Sequence, residues 1–296
     1  MLAISLPSGY LTGAEDGDDV ACWRAMLGTP EQGLATLRHW GVEAVEVGDL
    51  RGDVDVTDVH AAFAAIAAAG LRAHAHLWIP PNVTTHGPPA TLEHAARLLT
   101  SDATAANVGA NAGPHAPQAP RGACAVHGYK RHQADALEAT VADLAALEPW
   151  LRERGLASAL EICRYRPEGP LGGTYAEVVA LVEAAEQRCG VPLGVTWDLG
   201  HTTWNALQGH DRLWPDDAFL RRVAHVHVHD VAASGRTHFP LDEGRVDLAG
   251  MIERLRAVGY AGLWDLELYP ERWPDVDANA RARLEASLAC LHEATT

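Results

Sequence analysis

Basic residues are scarce in this chain of 296 residues: 23 Lys and Arg stand against 39 Asp and Glu. The resulting net charge of −16 disfavours a broad cationic face for gripping nucleic acid or an anionic membrane. Cysteine is sparse too. Cys22, Cys124, Cys163, Cys189 and Cys290 are odd in number, scattered, and never arranged as C-x-x-C, which speaks against a disulfide framework and for a reduced, cytoplasmic protein. No run approaches the ~20 apolar residues of a membrane span. The opening MLAISLPSGY has no basic n-region of a signal peptide, so a soluble, unexported protein is expected. A G-x-G-x-x-G turn is also missing. SLPSGYLTG matches it poorly, which weakens the case for a doubly wound nucleotide-binding sheet. No linker, heptad run or internal repeat suggests a boundary, and residues 1–296 are expected to form one domain.

What is present is an alternation. LAISL is followed by TPEQGLATLRHWG, in which Thr29 is a plausible N-cap, Pro30 fits the first helical position, Gln32 completes a capping box and Gly41 stops the helix. AVEVG precedes DVTDVHAAFAAIAAAG, whose apolar residues fall at helical spacing. LRAHAHLWI, ACAVHG, LASALEIC, VPLGVTWDLG, VAHVHVHDV and GLWDLELY are each followed by a helical pattern, the longest running from about Gln133 to Arg154. Eight such pairs force right-handed parallel crossovers and predict a (β/α)8 TIM barrel, with a doubly wound open sheet second. Two stretches stand outside the unit: the Ala/Gly/Pro-rich segment 101–122 and HTTWNALQGHDRLWPDD, read as a Trp-bearing loop.

Polar residues collect at one end of these strands. His74 and His76 close the third, His127 the fourth, Glu161 the fifth, and Asp198 with His201 the sixth; His225, His227 and His229 punctuate the seventh, Asp265 and Glu267 the eighth. In a barrel those ends meet at one C-terminal mouth, and a mixture of carboxylate and imidazole suits Mn2+, Mg2+, Co2+ or Zn2+. A lone Asp or Glu at a strand end is more often a helix cap than a ligand, so Glu161 by itself proves nothing. Asp198-x-x-His201 is more informative, because a bend after the strand can aim both side chains into one cavity. His225, His227 and His229 alternate with period two and share a face, so the deeper ones are expected to be hydrogen-bonded core residues. Glu46 can point inward and hold a ligand histidine in its tautomer. Trp78, Trp204 and Trp214 are placed in loops, suited to sugar C–H faces or to packing over the rim. Arg164 and Lys130 are placed to bind a hydroxyl, carboxylate or phosphate, or to form surface ion pairs.

GVEAVEVG, ALEIC, TWDLGH, HVHVHD, PLDEGRVD and GYAGLWDLEL together resemble the xylose-isomerase-like barrel superfamily of sugar isomerases and epimerases, which also contains endonuclease IV. The resemblance covers nearly the whole chain. In the ketose epimerase branch one divalent metal is held by Glu, Asp, His and Glu, which implies Glu161, Asp198, His227 and Glu267 here; Glu161 and Glu267 would also be the catalytic acid and base. His201 is then a substrate-binding neighbour, with His76, Arg164, Trp204 and Arg236 also expected at the substrate. Such a set can move a proton next to a carbonyl through a metal-stabilised enediolate. The implied partner is a small sugar or sugar-like molecule, with no nucleic acid or membrane, and the group's habit implies a homodimer.

The sequence also departs from that branch. Where tagatose- and psicose-type epimerases carry a second Glu six residues after the first, this chain has Pro167 beside Glu168; where they carry Arg six residues after the strand-seven His, it has Ala233. Substrate recognition does not transfer. The endonuclease IV pattern matches His74 or His76, His127, His201 and His238 as additional metal residues, but its last Asp is Arg236 here, and a guanidinium in that place would repel a third metal. A dehydratase acting on a keto-inositol or dehydroshikimate is therefore the nearer alternative, and a zinc phosphoesterase the more distant one.

Overall fold

The computed structural model describes residues 1–13, 17–50, 55–78, 95–97, 122–273 and 279–296. The strands are β1 (Leu2–Pro7), β2 (Ala44–Leu50), β3 (Arg72–Trp78), β4 (Gly122–His127), β5 (Leu156–Glu161), β6 (Gly194–Asp198), β7 (Val223–Val228), β8 (Asp230–Val231), β9 (Thr237–Phe239) and β10 (Trp264–Leu266). Eight of them run parallel and close into a barrel in the order β1-β10-β7-β6-β5-β4-β3-β2, while β8 and β9 form a separate antiparallel ribbon. This is the TIM barrel that the alternation predicts. All but Gly122 of the Ala/Gly/Pro-rich segment lies outside the described residues, as does most of TLEHAARLL.

The period of two along each strand sorts side chains to two faces. Val45, Val47, Leu160, Val195, Trp197, Val226, Val228 and Leu266 are buried in the apolar layer shared with the helices. Their alternates Glu46, Glu161, Thr196, Asp198, His225, His227 and Asp265 are also buried, but inside the barrel. The helix Pro30–His39 begins with the expected capping box: Gln32 N donates to Thr29 Oγ1 and Thr29 N donates to Gln32 Oε1 at 3.0 Å. Among the described residues no helix is long and apolar enough to cross a membrane.

Four details differ from the sequence reading. Before Pro30–His39 come two further helices, Ser8–Thr12 and Asp18–Leu27, which bury Tyr10, Leu11, Trp23 and Met26. The long helix covers Ala136–Arg152 rather than starting at Gln133, because Asp135 sits at φ 56° and Lys130 N donates to the Gln133 side chain, making a turn. HTTWNAL is helical, within Leu199–Leu207, because Asp198 caps that helix by accepting from His201 N at 2.7 Å. Finally, the β8–β9 ribbon carries no clear sequence signal. It is organised by Asp230, whose carboxylate accepts from the backbone N–H groups of Val231, Gly244, Arg245 and Val246 at 2.6–3.1 Å.

The strand that ends in Glu161 is fastened from behind. Glu148, fully buried on Ala136–Arg152, accepts from Ser158 N (2.7 Å), Ser158 Oγ (2.5 Å) and Arg152 Nε (2.5 Å). Replacing Glu148→Ala leaves the Ser158 donors without that acceptor and is expected to destabilise the fold by about 1–3 kcal/mol. Urea denaturation checks this, and an unshifted midpoint would show that the anchor is energetically idle.

Candidate metal centre at the barrel mouth

Four side chains from four neighbouring strands meet at the C-terminal end. Glu161 and Asp198 are the last residues of β5 and β6, His227 lies one residue from the end of β7, and Glu267 follows β10 directly. Register brings them level: Asp198 and Asp265 both pair with His227, and Glu267 N donates to Val228 O at 3.0 Å. One ligand atom from each lies within 4.8 Å of the other three, and all four residues are buried.

Within this group His227 Nδ1 stands 3.5 Å from Glu161 Oε2 and 3.6 Å from Glu267 Oε2. Both His227 Nδ1 and Glu267 Oε2 are buried and make no aligned hydrogen bond. Leaving such atoms unsatisfied is costly. An ion among the carboxylates and the imidazole satisfies them, and the nitrogen and oxygen donors suit a divalent metal of the Mn, Mg, Co or Zn type. The residues therefore fit the group that the fold implies.

Further groups adjoin it. Below His227, Glu46 Oε1 lies 3.1 Å from Nε2, so a proton held there leaves Nδ1 as the acceptor facing the site. Glu46 Oε2 is also 2.9 Å from His225 Nε2, and Ser5 Oγ donates to Asp265 at 2.8 Å and to Glu46 at 3.2 Å. To one side, Glu161 Oε2 is 2.8 Å from His127 Nε2 and 3.3 Å from His76 Nε2, so Glu161 belongs to a second candidate group with these histidines. To the other side, Asp198 meets His201 Nδ1 and His229 Nε2, each at 3.0 Å, in a group completed by His238. Tyr269 stacks on His238 with ring centroids 4.0 Å apart and donates its hydroxyl to Glu267 Oε1 at 3.0 Å.

Burial favours the neutral form of every one of these groups, yet mutual pairing reverses it for the central ones. Burial pushes Glu161 up, but His127 and His227 hold it well below the usual carboxylate range. Asp198 is held low in the same way by His201 and His229, and Glu46 by His227 and His225. In return, against burial, Glu46, Glu267 and Glu161 hold His227 well above its ordinary value, and Asp198 with Glu161 raises His201 to about 9. Asp265 goes up, through burial and the adjacent Glu46.

Other residues from the sequence reading fall elsewhere. His74 lies two residues deeper than His76, stacks on His225 at 5.3 Å, and is pushed to about 3 by burial and by His225; it joins none of the candidate groups. Arg236, just before β9, is exposed and donates to Arg272 O at 3.1 Å, whereas His238, at φ 64°, is buried. The guanidinium thus does not occupy the His201–His229–His238 group. Trp78 ends β3 and Trp204 lies on the helix Leu199–Leu207, so neither is in a loop, and Trp214 packs under Arg254 at 4.5 Å. Arg164 lies 5.9 Å over the Trp204 ring; Lys130 is exposed on a bridge to Pro170. Ser5, Tyr269, Arg166 and Arg272 drew no attention in the sequence. Tyr269 had a signal, its position two residues after Glu267.

The family model for the xylose isomerase-like TIM barrel matches residues 34–294. An uncharacterized protein of Methanocaldococcus jannaschii is 28% identical over 101 residues, a match spanning 33% of this chain and 32% of that protein. The D-psicose 3-epimerase of Clostridium cellulolyticum H10, solved with D-tagatose, superposes with a TM-score of 0.60 at 13% identity, covering 100% of this chain and 99% of the other. A xylose isomerase domain protein of Alicyclobacillus acidocaldarius gives 0.60 at 16% identity, with coverages of 100% and 98%. The 3-keto-D-glucoside 4-epimerase of E. coli gives 0.53 at 17%, with coverages of 89% and 94%. At these identities the likeness is one of fold.

Two measurements follow from the pairing. A protonated His227 cannot ligate, so metal binding must release its proton, and divalent-metal affinity is expected to tighten as pH rises through the neutral range. Titration calorimetry in buffers of different ionisation enthalpy detects the released proton; affinity independent of pH would contradict the assignment of His227. The Glu46→Gln variant keeps the shape but loses the charge behind His227, and its metal affinity is expected to fall about 10–100-fold. Wild-type affinity in that variant would remove Glu46 from any such role.

Proposed function

We propose a function from the premise that the chain belongs to the xylose isomerase-like TIM barrel family: it is a divalent-metal-dependent sugar isomerase or epimerase that moves a proton at a carbon next to a carbonyl. The observation that carries this reading is the convergence of Glu161, Asp198, His227 and Glu267, with two of their ligand atoms buried and lacking an aligned hydrogen bond. When bound there, a divalent ion would polarise the substrate carbonyl and offset the negative charge that develops on its oxygen.

The two glutamates are the proton carriers, and their surroundings differ. Glu161 has His201 on Oε1 and His127 on Oε2, so a proton taken at this carboxylate has neighbouring imidazoles to accept or replace it. Glu267 has Tyr269 on Oε1, while Oε2 faces His238 Nε2 at 3.3 Å and His227 Nδ1 at 3.6 Å without an aligned hydrogen bond. One carboxylate removes the proton from carbon and keeps it; the other, protonated at the outset, delivers its own proton to the opposite face of that carbon in an epimerase, or to the neighbouring carbon in an isomerase. Asp198 and Glu46 hold position, the first through the cap of the helix Leu199–Leu207 and the second behind His227.

One observation favours a second reading. Glu161 is shared with His76 and His127, a group able to take another ion, and paired metals are the means by which phosphoesters are hydrolysed. A dehydratase would use the same proton abstraction and then expel water.

Incubating metal-loaded protein in D2O with ketoses, aldoses and their phosphates, followed by mass spectrometry, distinguishes these chemistries. Deuterium entering a substrate without loss of water is expected, with Glu161→Gln and Glu267→Gln each slowing it about 10²–10⁴-fold. Loss of water assigns the dehydratase, and neither exchange nor dehydration across the panel defeats the proposal.

A further inference from the structure

Beside the candidate metal group lies a cavity of about 430 Å³ lined by Arg164, Arg166, Arg236, Thr237, Glu271 and Arg272. Four guanidiniums thus face one carboxylate, in a chain whose net charge is −16. Glu271 lies 3.4 Å from Arg272, but Arg164, Arg166 and Arg236 have no acidic partner among the described residues. Several arginines elsewhere find acids, among them Arg131 with Glu177, Arg152 with Glu148, Arg222 with Glu186 and Arg283 with Asp242, whereas Arg254 and Arg281 are single cations on other faces. Cations crowded around a cavity with a single counter-charge among them repel one another, an arrangement stabilised when an anion enters.

The cavity is joined to the metal group by its own lining. Arg164 is three residues past Glu161. Thr237 Oγ1 is 3.0 Å from His238 Nδ1. The Arg272 guanidinium lies 4.1 Å over the ring of Tyr269, whose hydroxyl bonds Glu267. These contacts set the arginine-lined cavity next to side chains of the metal group. Building on the proposed function, we infer that the substrate carries an anionic group, a phosphate ester or a carboxylate, and that Arg164, Arg166, Arg236 and Arg272 bind it. Planar guanidiniums suit paired oxygens of either group. A neutral sugar would have no use for them.

The test reads binding, not turnover. The thermal midpoint of the metal-loaded protein is measured against inorganic phosphate and, separately, acetate, each compared with chloride at equal ionic strength. Arg166 and Arg236 are both exposed, so the double variant R166Q/R236Q is the probe of the cavity, and Glu161→Gln is the probe of the metal group. Phosphate is expected to raise the midpoint, with affinity roughly tenfold weaker or more in R166Q/R236Q and retained in Glu161→Gln. That result stands even if no sugar is turned over, which separates it from the proposed function. The same pattern with acetate alone assigns a carboxylate. A phosphate effect kept in R166Q/R236Q but lost in Glu161→Gln places the anion at the metal group and overturns the inference, as does no shift beyond chloride with either anion.

Discussion

Carboxylates removed from water must be paired, and this need governs the interior of the barrel. Glu46, Glu161 and Asp198 are each essentially inaccessible, and an ionised carboxylate at such depth costs several kcal/mol unless opposite charge or donors meet it. Each is met by two or more histidines, drawn from β3, β4, β7, the residue that follows β7 and the helix after β6. The pairing is dense enough to hold these carboxyls low against burial, but it leaves His227 Nδ1 and Glu267 Oε2 without aligned partners. That incompleteness is what makes the centre a candidate for a cation.

The backbone around the mouth serves the same end. Asp198 is both cap and candidate ligand: its carboxylate fixes the start of the helix Leu199–Leu207, and the fixed helix in turn brings His201 back over Asp198 and Glu161. The turn tolerates no side chain at Gly200, where a Cβ would sit 2.0 Å from the His229 ring. Across the mouth, Asp230 gathers four backbone N–H groups and so shapes the segment that presents His238 at positive φ.

Charge is layered from the inside outward. Carboxylates interleaved with histidines form the floor and walls around the candidate metal centre, and arginines line the adjoining cavity. Tyr269 stands between the layers, its hydroxyl on Glu267 and its ring between His238 and Arg272. This arrangement sets carboxylates and guanidiniums in neighbouring places, so the potential changes sign over a short distance.

The sequence determined by itself what depends on near neighbours. Hydrophobic period, caps such as Thr29-Pro30 and stops at glycine depend on residues a few positions apart, so the barrel and the collection of polar residues at its mouth were legible, while the choice of Glu161, Asp198, His227 and Glu267 among them rested on the family resemblance. Only the tertiary structure decided which partners meet. His76 reaches Glu161 while His74 sits a layer below, because register across β2, β3 and β4 sets depth. The helices Ser8–Thr12 and Asp18–Leu27, the β8–β9 ribbon and the meeting of Arg164, Arg166, Arg236 and Arg272 rest on contacts between segments far apart in the chain, and local periodicity carries no record of such contacts.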